Sequence, residues 1–455
     1  MLIRNGQFFS YLRAQFTGVS KSYAASSLVS IGSYAITSIL TLGFGIMAAR
    51  ALGPDGNGEL SLLLVVLSTV TVLINVGFGQ IAVFSINQNQ ASAQSVASEL
   101  WTTAWIWGGF TAIGILIGGS LWNLVSPGTF SPLLIGVAVL LTPPLLAKHY
   151  AEYLFVSLHR FGWLGVVLAS ELALRLALFG VLMRWPGGVE GAILTVVIAA
   201  LGSTALGWGK LIGILGAPRI TLRLPTLQPL FSYGMVNYIS VLFAHLNLRV
   251  DQFLIAAVLP VRELGVYVTA VTLAELPIKI ATALSKLVFV SAAALSASDA
   301  NRLTSATLRI VITLAWMLAA VVWLFRAPIV EVIYGPGYAG AELALAWLLP
   351  GAALFSYVQI LGSHLAGRGY PRACVLAGAA GLVTGVVANL TLTPHFGIAG
   401  AAMSTSLGYA VSSAVVLFSY CKLTGQSPTL LVVATWPDVR MIVGRLRPHA
   451  ARLNE

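Results

Sequence analysis

Apolar runs of twenty residues or more recur from one end of this chain to the other, a pattern that soluble folds do not carry. Each run can cross a ~30 Å hydrocarbon core as an α-helix. The 455 residues are 58% hydrophobic and 9% charged, whereas a soluble domain carries about 25% charged residues. The period-2 alternation of a membrane barrel is missing. The chain is therefore read as an all-α, polytopic membrane protein.

Breaking the runs at Gly, Pro and charged clusters gives twelve spans, near 24–48, 60–84, 100–124, 131–157, 163–183, 190–214, 232–258, 264–291, 305–325, 342–365, 373–393 and 397–421. The organisation expected is a segment 1–23, a six-helix lobe 24–214, a linker 215–231, a second lobe 232–421 and a basic tail 422–455. The first segment is basic and runs into a full-length span, so it reads as a cytoplasmic head and not as a cleavable signal. In the tail, LLVVATWPDVRMIVGRLRPHA fits an interfacial helix and a disordered segment equally.

A net charge of +11 would suggest nucleic acid in a soluble protein. Here it sorts by side. Eighteen Lys and Arg fall on the face that carries both termini, and only Arg50, Arg184, Arg262 and Arg326 on the other. Cytoplasmic loops concentrate basic residues, so both termini are expected in the cytoplasm. No nucleic-acid partner is expected. Cys374 and Cys421 form neither a metal-ligand spacing nor a disulfide framework.

Two matches suggest a duplication. Superposing LGPDGNGEL (52–60) on LPVRELGVY (259–267) places Gly58 on Gly265, an offset of 207 residues. Independently, VEGA (189–192) on IAGA (398–401) places Gly191 on Gly400, an offset of 209 residues. Near-equal offsets at hairpins of the same number predict two parallel repeats around a central cavity. Within the first stretch, Gly53 can take a left-handed cap, Pro54 stops the helix, and Asp55, Gly56 and Asn57 turn the chain.

Away from loops and helix ends, three basic residues remain: Arg175, Arg249 and Lys279. Glu171 stands four before Arg175 and Glu275 four before Lys279, with Pro277 between; Asp251 follows Arg249, and His245 lies one turn earlier. Ionised groups at this depth cost at least ~2.5–3.5 kcal/mol, so they face a bundle interior or a wet cavity. Each i,i+4 pair reads either as a self-neutralising link between helices or as part of a lumen. All these residues are expected near one depth. Lys148 and Lys286, nearer the cytoplasmic end, would make an inner vestibule basic, or would snorkel to headgroups. No phosphate-cradling GK[ST] loop, metal-ligand cluster or nucleophile motif occurs, so neither an ATP-driven pump nor an enzyme is expected, and no cofactor.

Four stretches carry a family resemblance: ARALGPDGNGEL after the first span, NVGFGQIAVFSI in the second, NLRVDQFLIAAVLPVRELGVYVTAVTLAEL across the seventh and eighth, and NLTLTPHFGIAGAAMSTSLGYA leading into the twelfth. In order and topology the chain resembles the Wzx-type flippases, the polysaccharide transporters of the multidrug/oligosaccharidyl-lipid/polysaccharide (MOP) superfamily. The resemblance implies two six-helix lobes around a lumen in a bacterial inner membrane. It implies translocation of an undecaprenyl-pyrophosphate-linked oligosaccharide to the periplasmic leaflet by alternating access, with a polymerase and chain-length machinery downstream. Arg249 and Asp251 match its charged seventh-helix motif, and Arg50 the Arg of its first signature. From these motifs and, for Glu171, Arg175, Glu275 and Lys279, from their depth in the spans, substrate contacts are expected at Arg249, Arg175, Lys279, Arg50 and His245, and proton or sodium coupling at Asp251, Glu171 or Glu275. The alternatives are a cation-coupled drug exporter of the same superfamily, a lipid II flippase, and a membrane-embedded glycosyltransferase or polymerase. Drug exporters of that kind carry an acid in the first helix, and residues 24–48 contain none. Lipid II flippases usually have two further helices. Embedded glycosyltransferases have large extramembrane loops with acidic catalytic residues, and the loops between spans here are short.

Overall fold

The structure is a computed structural model that describes residues 20–87, 91–125, 131–182, 188–221 and 231–428. Residues 1–19 and 429–455 of the terminal segments, and 222–230 of the linker, lie outside the described residues. Among the described residues there are thirteen α-helices, one short 3-10 turn and no strand. The first six are α1 (Ser20–Asn75), α2 (Phe78–Asn87), α3 (Ala93–Val125), α4 (Pro132–Ser157), α5 (Phe161–Leu182) and α6 (Val189–Leu215). The remainder are α7 (Phe231–Val258), α8 (Val261–Ala274), α9 (Leu276–Ala294), α10 (Ala297–Leu324), α11 (Arg326–Tyr334), α12 (Ala341–Gly367) and α13 (Pro371–Thr424).

Ten of these helices are long and apolar enough to cross a membrane. Two of the ten are double. In α1 the helical path breaks at Gly53 (φ 66, ψ 179), and in α13 at Gly397 (φ 57, ψ −140). Both are conformations that side chains other than glycine's hydrogen rarely allow. A straight 41-residue apolar helix would run about 60 Å, twice the hydrocarbon thickness. The arms of α13 fold back on each other: Ser412 Oγ donates to the Ala377 carbonyl at 3.0 Å, and Gly408 packs on Gly381 and Gly385. Ten helices, two of them double, thus supply the twelve spans.

The second and eighth spans are not continuous, as the sequence reading had them. NVGFG breaks the second: Val76 (φ 45) and Gly77 (φ 84) are both left-handed, which is uncommon for a β-branched residue. The Asn75 side chain repairs the break by accepting from Gly79 N and donating to Gln80, whose own amide donates to Tyr153. In the eighth, Glu275 sits at the junction of α8 and α9, and Pro277 lies in the first turn of α9. Proline there lacks only a donor that the helix start could not have used.

The chain divides into two compact units. One holds residues 28–269 with Ile333–Tyr338; the other holds Ala270–Val332 and residues from 339 onward. In the first unit, Leu146, Tyr150, Leu154 and Phe155 of α4 pack with Ile81, Leu100 and Trp208, and Trp208 Nε1 donates to the Ala147 carbonyl at 2.8 Å. In the second, Tyr357, Ile360, Leu361 and Leu365 of α12 pack with Leu308, Val416 and Tyr420.

The duplication is visible in the backbone. Gly188 (φ 42) opens α6, and Gly397 (φ 57), 209 positions later, opens the second arm of α13. After α4, the amides of Leu158, His159 and Arg160 donate to Leu154, Val156 and Phe155 at 2.9, 3.1 and 2.8 Å. After α12, those of Arg368, Gly369 and Tyr370 donate to His364, Ala366 and Leu365 at the same three distances, each residue 210 positions on. Both turns place their second residue in the left-handed region: His159 at φ 55 and Gly369 at φ 89.

Candidate functional site: a buried charge cluster and a closed joint

In the first unit α4 and α5 bring together charges that no single helix would. Glu171 is buried on α5, ten residues and well over two helical turns from its Phe161 end. One carboxylate oxygen receives the Arg175 guanidinium, one turn further on, and the other receives the Lys148 ammonium from α4. Lys148 also lies 3.7 Å from Glu152, which in turn is 3.5 Å from His149 Nδ1. The i,i+4 pair read from sequence is thus three-membered, and Lys148, expected in a separate vestibule, is its third member. Arg175 stands over the Phe44 ring at 5.8 Å, and its Nε is buried without a hydrogen-bond partner among the described residues. Unpaired buried donors of this kind are uncommon, because each costs about 1–3 kcal/mol.

The other expected site residues fall elsewhere. Asp251 is buried two turns from the Val258 end of α7, as Arg175 stands two turns from the Leu182 end of α5. Its carboxylate accepts from Tyr267 Oη on α8 at 2.6 Å and from Gln252 N at 2.8 Å. His245 Nε2 pairs with Thr69 Oγ1 at 2.9 Å, linking α7 to the second arm of α1. Arg249 is half-buried and donates to the Leu248 carbonyl at 3.1 Å. In the second unit, Glu275 and Lys279 are half-buried on either side of the Pro277 break, and Lys286 is exposed on α9.

Arg50 belongs to a joint at the charge-poor end. Its Nε donates to the Ile333 carbonyl at 2.6 Å, and Tyr338 Oη donates to the Ala49 carbonyl at 2.7 Å. Burial raises the Tyr338 phenol, with Tyr334 and Asp55 adding to the shift, so it remains a donor at neutral pH. Beside them the repeated turns cross. A Cβ on Gly58 would strike the Val261 carbonyl, and a Cβ on Gly265 would strike the Pro54 carbonyl. Both pairs obey the 207-residue offset, so the contact is reciprocal: each turn's glycine admits the other's backbone. Asn57 Nδ2 donates to the Gly265 carbonyl at 2.9 Å across the same crossing.

Sequence reasoning missed Tyr267, Asn57, Thr69, Tyr338 and Glu152 as partners. Tyr267 carried a signal, since it is the Tyr of the G-x-Y pattern in LGVY.

Residues 155–342 match a family described as "Polysaccharide biosynthesis protein". That stretch contains Glu171, Arg175, His245, Arg249 and Asp251. No curated protein matches the chain. Among solved structures, an outward-facing multidrug resistance MATE family transporter of the MOP superfamily is similar at 15% identity and TM-score 0.63, over 89% of this chain and 96% of that one. An inward-facing one is similar at 14% and TM-score 0.64, over 88% and 98%. A MOP superfamily transporter from Pyrococcus furiosus, whose reversed binding-pocket polarity suggests a different function for it, is similar at 14% and TM-score 0.62, over 89% and 96%. The chain has the fold of these MOP-superfamily transporters, and its central stretch is similar to the polysaccharide biosynthesis family.

Proposed function

We propose that this multi-pass membrane protein is a flippase for an anionic, polyprenyl-pyrophosphate-linked oligosaccharide. It moves the repeat unit from the cytoplasmic to the periplasmic leaflet of a bacterial inner membrane. The observation that carries this reading is the buried cluster in which two cations, Lys148 and Arg175, converge on Glu171, with Arg175 Nε left over for a further acceptor. A pyrophosphate cannot enter hydrocarbon alone, since burying its charges unpaired costs many kcal/mol. A guanidinium fork offers phosphate oxygens two donors at once, and Lys148 can share Glu171 when Arg175 turns to the substrate. The match to the polysaccharide-biosynthesis family supports a glycan as cargo.

In this reading the charge-poor end faces the periplasm by the positive-inside rule, and the crossing at Gly58 and Gly265 is the closed outer gate. Alternating access requires the turn 259–267 and the strap 333–338 to leave residues 49–58 together. In the same reading Asp251, whose Tyr267 partner is two residues from Gly265, would carry proton or sodium coupling.

The test is dithionite protection of a fluorescent undecaprenyl-pyrophosphate-linked oligosaccharide in vesicles carrying the purified protein. The wild type accelerates transbilayer exchange, and Arg175→Ala lowers the rate about ten-fold or more, the worth of one charge-assisted hydrogen bond. Exchange no faster than in empty vesicles, with cationic drugs moved instead, would replace this reading with that of a drug exporter.

A further inference from the structure

The first unit contains a cavity of about 260 Å³ that the charge cluster does not use. Its wall is drawn from four helices: Leu62 and Leu63 on the second arm of α1, Gly118 on α3, Leu134 and Ala138 on α4, and Phe253 on α7. Every lining residue is apolar, so the space offers water no partner; smaller apolar cavities, of ~150 Å³, stay dry and take up hydrocarbon. Leu62 and Leu63 form its deep side and are each 1% exposed. Gly118 forms its mouth: it is exposed, and a Cβ there would meet nothing within 4 Å. Around that mouth α3 presents Leu116, Ile117 and Leu121, all about half exposed, as a lipid-facing helix does. Leu62, Gly118, Leu134 and Phe253 all lie within the last few turns at the charge-poor ends of their helices. The cavity therefore opens sideways into one leaflet, which the charge distribution makes the outer one.

We infer that this cavity is a binding site for a single hydrocarbon chain, and that an acyl chain of an outer-leaflet phospholipid occupies it. The opening faces the membrane and not the aqueous phase, so lipid chains are the solute at its mouth. Phospholipid supplies nearly all of them. Leu62 stands one turn beyond Gly58, and Phe253 two residues beyond Asp251. A bound chain thus fills the space behind the crossing of the repeated turns and braces α1 against α7. Removing the chain would leave that space empty beneath the joint.

The protein is reconstituted in vesicles of phosphatidylethanolamine and phosphatidylglycerol with a trace of phosphatidylcholine bearing a diazirine in its acyl chain. Photolabelled residues are then mapped by mass spectrometry. Bulk lipid reaches Leu116–Leu121 but cannot reach Leu62 and Leu63, so labelling of Leu62 and Leu63 is the expected and specific result. Ala138→Leu and Gly118→Leu, on different helices, each displace two or more methylene positions and lower that labelling about ten-fold. Labelling of Leu116–Leu121 stays unchanged. The inference fails if Leu62 and Leu63 are labelled no more than the buried Leu345, Leu348 and Leu349, or if both filled variants keep the wild-type signal. Displacement of the label by a few mole per cent of undecaprenyl phosphate would overturn the choice of phospholipid in favour of a polyprenyl chain. The wild-type map stands alone should either variant fail to fold, and it contains no oligosaccharide, so its outcome is separate from that of the transport assay.

Discussion

The two halves of the molecule use the same turns to hold different interiors. Shifting Lys148, Glu152, Glu171 and Arg175 by the 210 residues that relate the turns after α4 and α12 lands on Val358, Gly362, Gly381 and Gly385. Where the first half places charge, the second places valine and glycine. The glycines let the arms of α13 approach closely: a Cβ on Gly408 would lie 2.8 Å from the Gly381 carbonyl and 3.2 Å from Gly385 Cα. Small residues serve this purpose in membranes, where close van der Waals packing and not apolar burial joins helices. In the second half Gly381 and Gly385 admit the neighbouring arm of α13, while at the matching positions of the first half Glu171 and Arg175 form an ionic cluster with Lys148 of α4 that exchange of partners can open. A duplicated scaffold with one polar half suits a transporter that handles a charged headgroup.

That contrast can be broken from either side. The largest effect is expected at Glu171→Gln, which leaves Lys148 and Arg175 without their shared carboxylate. Removing one partner from a buried ionic group costs about 3–5 kcal/mol, read as a lowered thermal midpoint in detergent. A midpoint within a degree of the wild type would mean that the cluster is solvated and carries no such load. Next comes Gly408→Leu, which overpacks the second half; overpacking costs about 1–3 kcal/mol or more. The related substitution Ala199→Leu in α6, where no such glycine pair faces it, should cost less on the same measurement. The smallest effect sharpens the duplication itself. His159 holds a left-handed conformation that its counterpart Gly369 holds without penalty, so His159→Gly should stabilise by roughly 0.5 kcal/mol. Gly369→His should destabilise by at least as much.

What was legible in the sequence followed from local rules. Gly53-Pro54 declares a helix break by backbone chemistry alone, and the structure puts Gly53 at φ 66. Apolar run lengths sufficed for the spans, and the 207 and 209 offsets for the paired joints. The break at Val76-Gly77 was hidden, because glycine inside a membrane helix is common and usually leaves it intact. Glu171 and Arg175 were readable as a pair by helical spacing, but Lys148 is 23 residues away on another helix, where no periodicity connects them. Arg50 was the least readable: its partner is a main-chain carbonyl 283 residues distant, which leaves no trace in side-chain identity. The glycines at 58 and 265 aligned the repeat, yet the reason for them, mutual backbone contact, belongs to tertiary structure.

The most direct measurement exchanges the polar interior for the glycine one. The triple variant K148V/E171G/R175G removes Glu171 together with both of its cations and leaves Glu152 beside His149; the fold should persist, as judged by monodisperse elution from size exclusion. In the fluorescent lipid-linked oligosaccharide assay this variant is predicted to exchange substrate at the rate of empty vesicles. A folded triple variant that moves the substrate at the wild-type rate would contradict a transport role for the cluster.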